Sequence, residues 1–252
     1  MNPLVSRSTL LLVLASLVLP AAALRANTAT EPVPRDAQWM KRHDRFVARA
    51  HRGDVNVLFL GDSITDMWRD ATSGGAARGK AVWERDFAPL GAANFGIGGD
   101  RTQHLLWRLE HGELDGISPK VVVLLIGTNN LSISHETHRP RNTVKETAAG
   151  VKAVVHEILR RLPSSKILLL GLFPRRDRWA PAPEAIAALN RRIAKLADGR
   201  RIVYLDIGSK FLEPDGTLSR TIMPDLLHPD ARGYEIWANA IRGPLAKLLR
   251  SS

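Results

Sequence analysis

The chain has 252 residues, 44% hydrophobic and 24% charged, enough apolar content for one sizeable core and not the composition of a disordered chain. It has no cysteine, which excludes disulfides, a thiolate nucleophile and Cys-ligated zinc. The net charge of +11 invites an anionic partner, but the basic residues are scattered with no long run on one predicted face, so nucleic acid is not expected.

The N-terminus reads as a targeting segment. Arg7 precedes a mostly apolar stretch from Leu10 to Leu19, followed by Pro20 and a cluster of small residues. This is the layout of a secretory signal peptide over residues 1–26, with cleavage expected after Ala23 or Ala26. The apolar run is short for a membrane span, so export to the periplasm or exterior is expected, without stable membrane insertion after cleavage. The competing reading is an uncleaved anchor. Residues 27–36 contain Pro and Thr and are expected to be a linker, leaving 37–252 as a single domain.

From Ala37 to His51, Trp39, Phe46 and Val47 with interleaved Lys and Arg predict an amphipathic helix. Apolar runs of strand length then recur at Val55–Leu60, Ala92–Phe95, Val121–Ile126, Ile167–Leu170 and Ile202–Leu205. Val121–Ile126 and Ile167–Leu170 are apolar at every position, as in parallel strands covered on both faces. Between them, helical spacing is read over Thr102–Leu109, Thr143–Leu162 and Glu184–Leu196, with a closing helix over Tyr234–Leu249 that is expected to break at Gly243 and Pro244. Alternating strands and helices imply one three-layer α/β domain with a five-stranded parallel sheet. Three loops look long, Thr72–Lys80, Leu131–Asn142 and Arg175–Pro183. The last two follow strands and should wall a site at the carboxyl ends of the sheet.

Residues with chemistry cluster after those strands. Gly61, Asp62 and Ser63 end the first run; Ser63 at the start of a helix has a free backbone N–H, although Ser and Asp are also ordinary helix caps. The second run ends in "NFGIGGDR", whose Gly96, Gly98 and Gly99 allow backbone N–H groups to approach a ligand or simply make a tight turn. Its spacing is not that of a dinucleotide fold, and no cofactor or metal is called for. The third run ends in "LLIGTNN", where the Asn129 amide can donate to an oxyanion or shape a turn. Asp225 and His228, three apart in "DLLHP", suit a proton-accepting imidazole and a carboxylate that holds its tautomer; a surface His beside a capping Asp is the plainer alternative. Together these segments supply what acyl transfer needs.

The four blocks "FLGDSIT", "NFGIGGDR", "LLIGTNN" and "DLLHP", in this order, resemble the SGNH (GDSL-type) hydrolase family. The stretch from Asn94 to Asn130 and "GLFPR" at Gly171–Arg175 are similar to the catalytic subunits of type I platelet-activating-factor acetylhydrolase. The resemblance implies a flavodoxin-like sheet in the order 2-1-3-4-5. It further implies Ser63 as nucleophile, His228 as base, Asp225 as its partner, and an oxyanion hole from Ser63, Gly99 and Asn129. The expected activity is that of a serine esterase cleaving carboxylic esters with a short acyl group, acetyl above all, from a small molecule or glycan. Trp68 and Trp179 are candidate substrate-binding aromatics, since aromatic faces stack on sugars; each could instead be buried. Trp107, among apolar helix residues, is read as core. Two other classes compete: a catalytically inactive carbohydrate-binding protein, and phosphoryl transfer through Asp62.

Overall fold

Five segments whose side chains are almost all apolar can be satisfied only where both faces of a sheet are covered. The computed structural model describes residues 27–68 and 78–251. It forms these segments into β1 (Val57–Gly61), β2 (Ala92–Gly96), β3 (Val121–Leu125), β4 (Lys166–Leu170) and β5 (Ile202–Leu205). All pairs are parallel and the order is β2-β1-β3-β4-β5, as the resemblance implies. β1 and β3 are buried at every position, whereas β5 is only half-buried, as an edge strand should be. The register sets Gly61 beside both Gly96 and Leu125, so three strands end on one rim. The expected leader 1–26 and most of the expected loop Thr72–Lys80 lie outside the described residues.

Helices supply the cover. They are α1 (Ala37–Ala50), α2 (Ser63–Asp66), α3 (Lys80–Asp86), α4 (Thr102–Glu110), α5 (Thr128–Leu131), α6 (Val144–Arg161), α7 (Pro183–Ile193) and α8 (Ala231–Arg250). α1 starts where the Asp36 carboxylate accepts from the N–H groups of Gln38 and Trp39, and it buries Trp39, His43, Phe46 and Ala50 along one stripe. α6 opens with a reciprocal cap: Thr143 Oγ1 accepts from Glu146 N at 3.2 Å, and Glu146 Oε2 from Thr143 N at 2.7 Å. α4, α6 and α7 pack in a row, while α8 packs on α3, β3 and β4. At Gly61 a Cβ would collide with Thr65 and the Leu125 carbonyl, and at Gly96 with the Asp66 backbone. Those two glycines let α2 lie directly on the ends of β1 and β2.

Three expectations are corrected here. α8 runs unbroken through Gly243 and Pro244. A proline in a helix interior costs about 3 kcal/mol, but this helix buries Trp237, Ile241, Leu245 and Leu248 on either side of it, which outweighs that cost. Residues 27–36 are not a loose linker: Thr102 Oγ1 donates to Ala29 O at 2.7 Å, Asn142 Nδ2 to Thr28 Oγ1 at 2.9 Å and Arg35 Nη1 to Gly98 O at 2.8 Å. Trp68 is fully buried, packed among Phe59, Phe87, Tyr234 and Trp237, so no sugar can stack on it. Its apolar bulk fills the gap between β1 and α8, the more general fate of a Trp next to a buried strand. α3 had no counterpart in the expectations, because seven residues give too little periodicity to recognise.

If Trp68 is a core residue, Trp68→Ala lowers stability by about 3–5 kcal/mol, measured by urea unfolding. A substrate-contacting role would instead raise KM and leave the unfolding midpoint where it was.

Candidate active site

Ser63 is the first residue of α2, held at the end of β1 by the tight Gly61 passage. Its Oγ lies 2.8 Å from His228 Nε2, and His228 Nδ1 lies 2.8 Å from Asp225 Oδ2. An ionised carboxylate only accepts, so Nδ1 carries the proton and Nε2 is left to accept from the serine hydroxyl. Asp225 is fixed from several directions: Oδ1 accepts from His228 N at 2.7 Å and Leu227 N at 3.1 Å. Partial burial alone would raise its pKa, but these hydrogen bonds and the imidazole hold it well below the usual carboxylate range. Between the two residues, Leu226 adopts a left-handed φ of 59°, strained for a side-chain-bearing residue. That turn lets the Asp225 carboxylate face both the backbone and the ring of His228. Arg78 braces the same turn, with Nη1 donating to His228 O at 3.2 Å and lying 3.4 Å from Asp225 Oδ2.

The loop after β2 comes alongside. A Cβ at Gly98 would sit 3.8 Å from Ser63 Cβ, and the exposed Gly99 has φ +80°, a conformation that favours glycine. Asn129, in the short α5 after β3, donates from Nδ2 to Asp100 O at 2.9 Å. That bond fixes the amide and occupies one of its two N–H groups, leaving the other for a ligand. Arg35, reaching in from the N-terminal segment, binds both Gly98 O and, at 3.1 Å, Asp100 Oδ1. Thus the sequence-predicted Ser63, Gly99, Asn129, Asp225 and His228 come together on one rim.

Beside them lies a cleft of about 370 Å³, lined by Gly99 and Asn129 and walled by Ile133, His135, Asp177 and Trp179. Its walls come from the two loops expected there, which are tied together by Ile133 N donating to Trp179 O at 3.0 Å. Trp179 is half-buried, lies against His135 with ring centroids 3.5 Å apart, and carries the Arg178 guanidinium over its ring. Trp107 is half-buried against the core and stacks on His111. Asp62 faces inward: it is fully buried, and Oδ1 caps α2 by accepting from Ile64 N at 3.0 Å. Asp66 is paired with Arg42 at 2.8 Å. Neither carboxylate is presented to an incoming phosphoryl group.

Residues 59–236 match the model of the GDSL-like lipase/acylhydrolase family. The chain belongs to that family. It is an ester-bond hydrolase. Platelet-activating factor acetylhydrolase IB subunit alpha1 of Bos taurus is 37% identical over 229 residues, covering 88% of this chain and 91% of the relative. The alpha2 subunit of Rattus norvegicus is 40% identical over 210 residues, covering 82% of each chain. Among solved structures, a Bacteroides fragilis protein assigned as an acylhydrolase superposes with a TM-score of 0.67 at 24% identity, covering 85% of this chain and 99% of its own.

Several residues that shape this acylhydrolase's site carried no signal of a role. Asp100 and Arg175 stand inside quoted blocks, "GGDR" and "GLFPR", yet only the fold shows what they do. Arg175 is buried; Nη1 reaches Thr128 O and, at 2.7 Å, Ser132 Oγ, fixing the segment that bears Asn129, while Asp177 neutralises its other edge. Arg35 and Arg78 lie in segments with no motif at all, and nothing in the sequence could have found them.

Burial pushes the Asp62 carboxyl up to about 7, opposed by the Ile64 N–H, by His228 and by Arg175 and aided by Asp100. A raised carboxyl pKa means the folded state binds the proton more tightly than the unfolded chain. Stability is therefore lost as pH rises from about 4, the unfolded value, and levels off above about 7. Asp62→Asn keeps the cap and removes the titration. Its melting temperature should gain on the wild type as pH rises from 5 to 7, with a constant gap above; a gap independent of pH would contradict the assignment.

Proposed function

We propose that the protein is a serine esterase of the SGNH type, with Ser63 as nucleophile, His228 as general base and Asp225 as the residue orienting it. The observation that carries this reading is the unbroken relay from Ser63 Oγ through His228 to Asp225, with both links at 2.8 Å. His228 takes the hydroxyl proton as Ser63 attacks the acyl carbonyl, and Asp225 stabilises the imidazolium that forms. The tetrahedral oxyanion is held by Ser63 N–H, by Gly99 N–H and by the Asn129 amide hydrogen that Asp100 O leaves free. Ser63 N–H, at the first helical position, has no partner within its own helix. His228 then gives its proton to the leaving alcohol, and water repeats the sequence on the acyl-enzyme.

The acyl group in this reading is short, with acetyl foremost. Its support is the 37–40% identity to proteins named acetylhydrolase subunits. The alcohol is a small molecule or glycan that meets Trp179 at the wall of the cleft, where the ring is held by His135 and Arg178. Catalysis is assigned to a single domain over residues 37–252, into which 27–36 are packed as a strap. Export is part of the proposal and rests on the signal-like arrangement of residues 1–26. Among the described residues no helix is long and apolar enough to cross a membrane.

With 4-nitrophenyl acetate, Ser63→Ala should abolish hydrolysis while leaving the circular dichroism spectrum and melting temperature intact. Asn129→Ala should lower kcat by about 10²–10³ with a small effect on KM. Wild-type turnover in folded Ser63→Ala protein, or no turnover in the wild type against any short acyl ester, would reject the mechanism in favour of a non-catalytic protein. For export, N-terminal sequencing of protein recovered outside the cytoplasm should begin at Leu24 or Asn27. Protein found only inside the cell and beginning at the initiator Met would refute it.

A further inference from the structure

Four arginines around the site are already neutralised. Arg175 is held by Asp177, Arg35 and Arg108 by Asp100, and Arg78 lies against Asp225. Arg101 and Arg141 differ: among the described residues neither belongs to an ion pair. The carboxylate whose charge acts on Arg101 is Asp100, which is already shared by Arg35, Arg108 and the Trp39 ring N–H.

The close side-chain neighbour of Arg101 offers it no relief. Arg101 N donates to His104 Nδ1 at 3.1 Å, so the ring proton sits on Nε2. Arg101 Nη2, 3.4 Å from that Nε2, therefore meets a donor rather than an acceptor. Burial, with the charges of Arg101, Arg35 and Arg108, pushes His104 down to about 3, which keeps the ring neutral. Arg101 is also the residue preceding the first turn of α4, where the helix contributes partial positive charge. Burial and repulsion from Arg141 and Arg35 lower its pKa.

Arg101 and Arg141 stand together at a junction. Both line the cleft beside Gly99 and Asn129, and both line an adjoining groove of about 890 Å³ between residues 28–33 and 134–141. Glu31 and Glu136 line the outer groove but not the inner cleft, and pair with neither arginine. Two like charges held in a partly desolvated passage repel each other and lack a counter-charge; an incoming anion offsets both costs.

We propose that this passage is an anion subsite, in which Arg101 and Arg141 bind a carboxylate or phosphate on the alcohol portion of the ester. The assignment rests on the esterase reading of the Ser63 site. It makes the preferred substrate an acylated acidic molecule, its ester carbonyl at Gly99 and Asn129 and its acidic group at the mouth of the outer groove.

The experiment compares three O-acetylated sugars: a neutral methyl hexoside, the matching hexuronate and the matching hexose phosphate. In the wild type, kcat/KM should favour one or both acidic esters over the neutral one by about tenfold or more, the size expected of charge-assisted hydrogen bonds. The preference should weaken with added salt. A carboxylate-only or phosphate-only preference identifies the source of the anion, and either supports the subsite. Arg101→Gln/Arg141→Gln should bring the acidic-to-neutral ratio towards one, and Arg101→Lys/Arg141→Lys should restore part of it. If no ester is turned over, the esterase reading fails on its own account. The subsite is then read by calorimetry with the deacetylated hexuronate and hexose phosphate, whose binding should disappear in the Gln pair. A ratio near one in the wild type, or one unmoved in folded double variants, overturns the proposal, as does absence of binding to either ligand.

Discussion

A fully buried guanidinium underlies the site. Arg108, on α4, has no exposed surface, and its Nη1 donates to Phe95 O at 2.9 Å while Nη2 reaches Gly61 O at 3.5 Å. It thus holds the ends of β2 and β1, the two strands that launch the glycine loop and the serine. A charge in that position must be balanced, and Asp100 and Glu113 balance it. Arg108 Nε lies 3.0 Å from Asp100 Oδ2 as an ion-pair contact rather than an aligned hydrogen bond. Breaking such a buried pair by removing one partner costs about 3–5 kcal/mol. Because Asp100 is one residue from Gly99 and its carbonyl receives Asn129, the balance of a core charge and the placement of Gly99 and Asn129 are the same requirement.

The rest of the rim is arranged around that anchor. Arg35 and Trp39 Nε1 both close on Asp100 Oδ1, so the N-terminal segment and α1 are drawn over the glycine loop. Asn130 binds Thr102 N and Gln103 Oε1, and Asn142 Oδ1 receives its amide, joining the loop after β3 to the start of α4. Arg175 binds the same short helix from the side of β4. On the opposite side, Tyr234 Oη donates to Ile64 O at 2.7 Å, which couples α8 to the turn bearing Ser63. These bonds join different strand connections, so the connections cannot shift independently.

The arginines illustrate how charge is distributed between structure and function. Arg35, Arg78, Arg108 and Arg175, which hold backbone carbonyls around the site, each also meet a carboxylate, because a desolvated cation needs one. Arg101 and Arg141 sit where solvent still reaches and meet none. The high net charge of the chain says nothing about this division. It is visible only when the partners of each side chain are known.

The sheet and most helices were legible in the sequence because they depend on local patterning. All-apolar runs such as Val121–Leu125 can be satisfied only in a covered parallel sheet, and Thr143 with Glu146 marks a helix start wherever it occurs. Ser63, Gly99 and Asn129 could be singled out as well, since nothing in packing requires them just after buried strands, and Asp225 and His228 by their spacing in a turn before the closing helix. Sequence alone could not tell that Trp68 fills the core while Trp179 borders the cleft, since both are aromatic residues in loop-like surroundings. Nor could it show that α8 continues through Pro244, that residues 27–36 strap the site, or that Arg108 is neutralised while Arg101 is not. Those outcomes depend on contacts between segments as far apart as Arg78 and His228. Local pattern determines which residues prefer a strand, a helix or a turn; only the closed fold determines which buried charge or ring finds a partner, because that partner is supplied by a distant part of the chain.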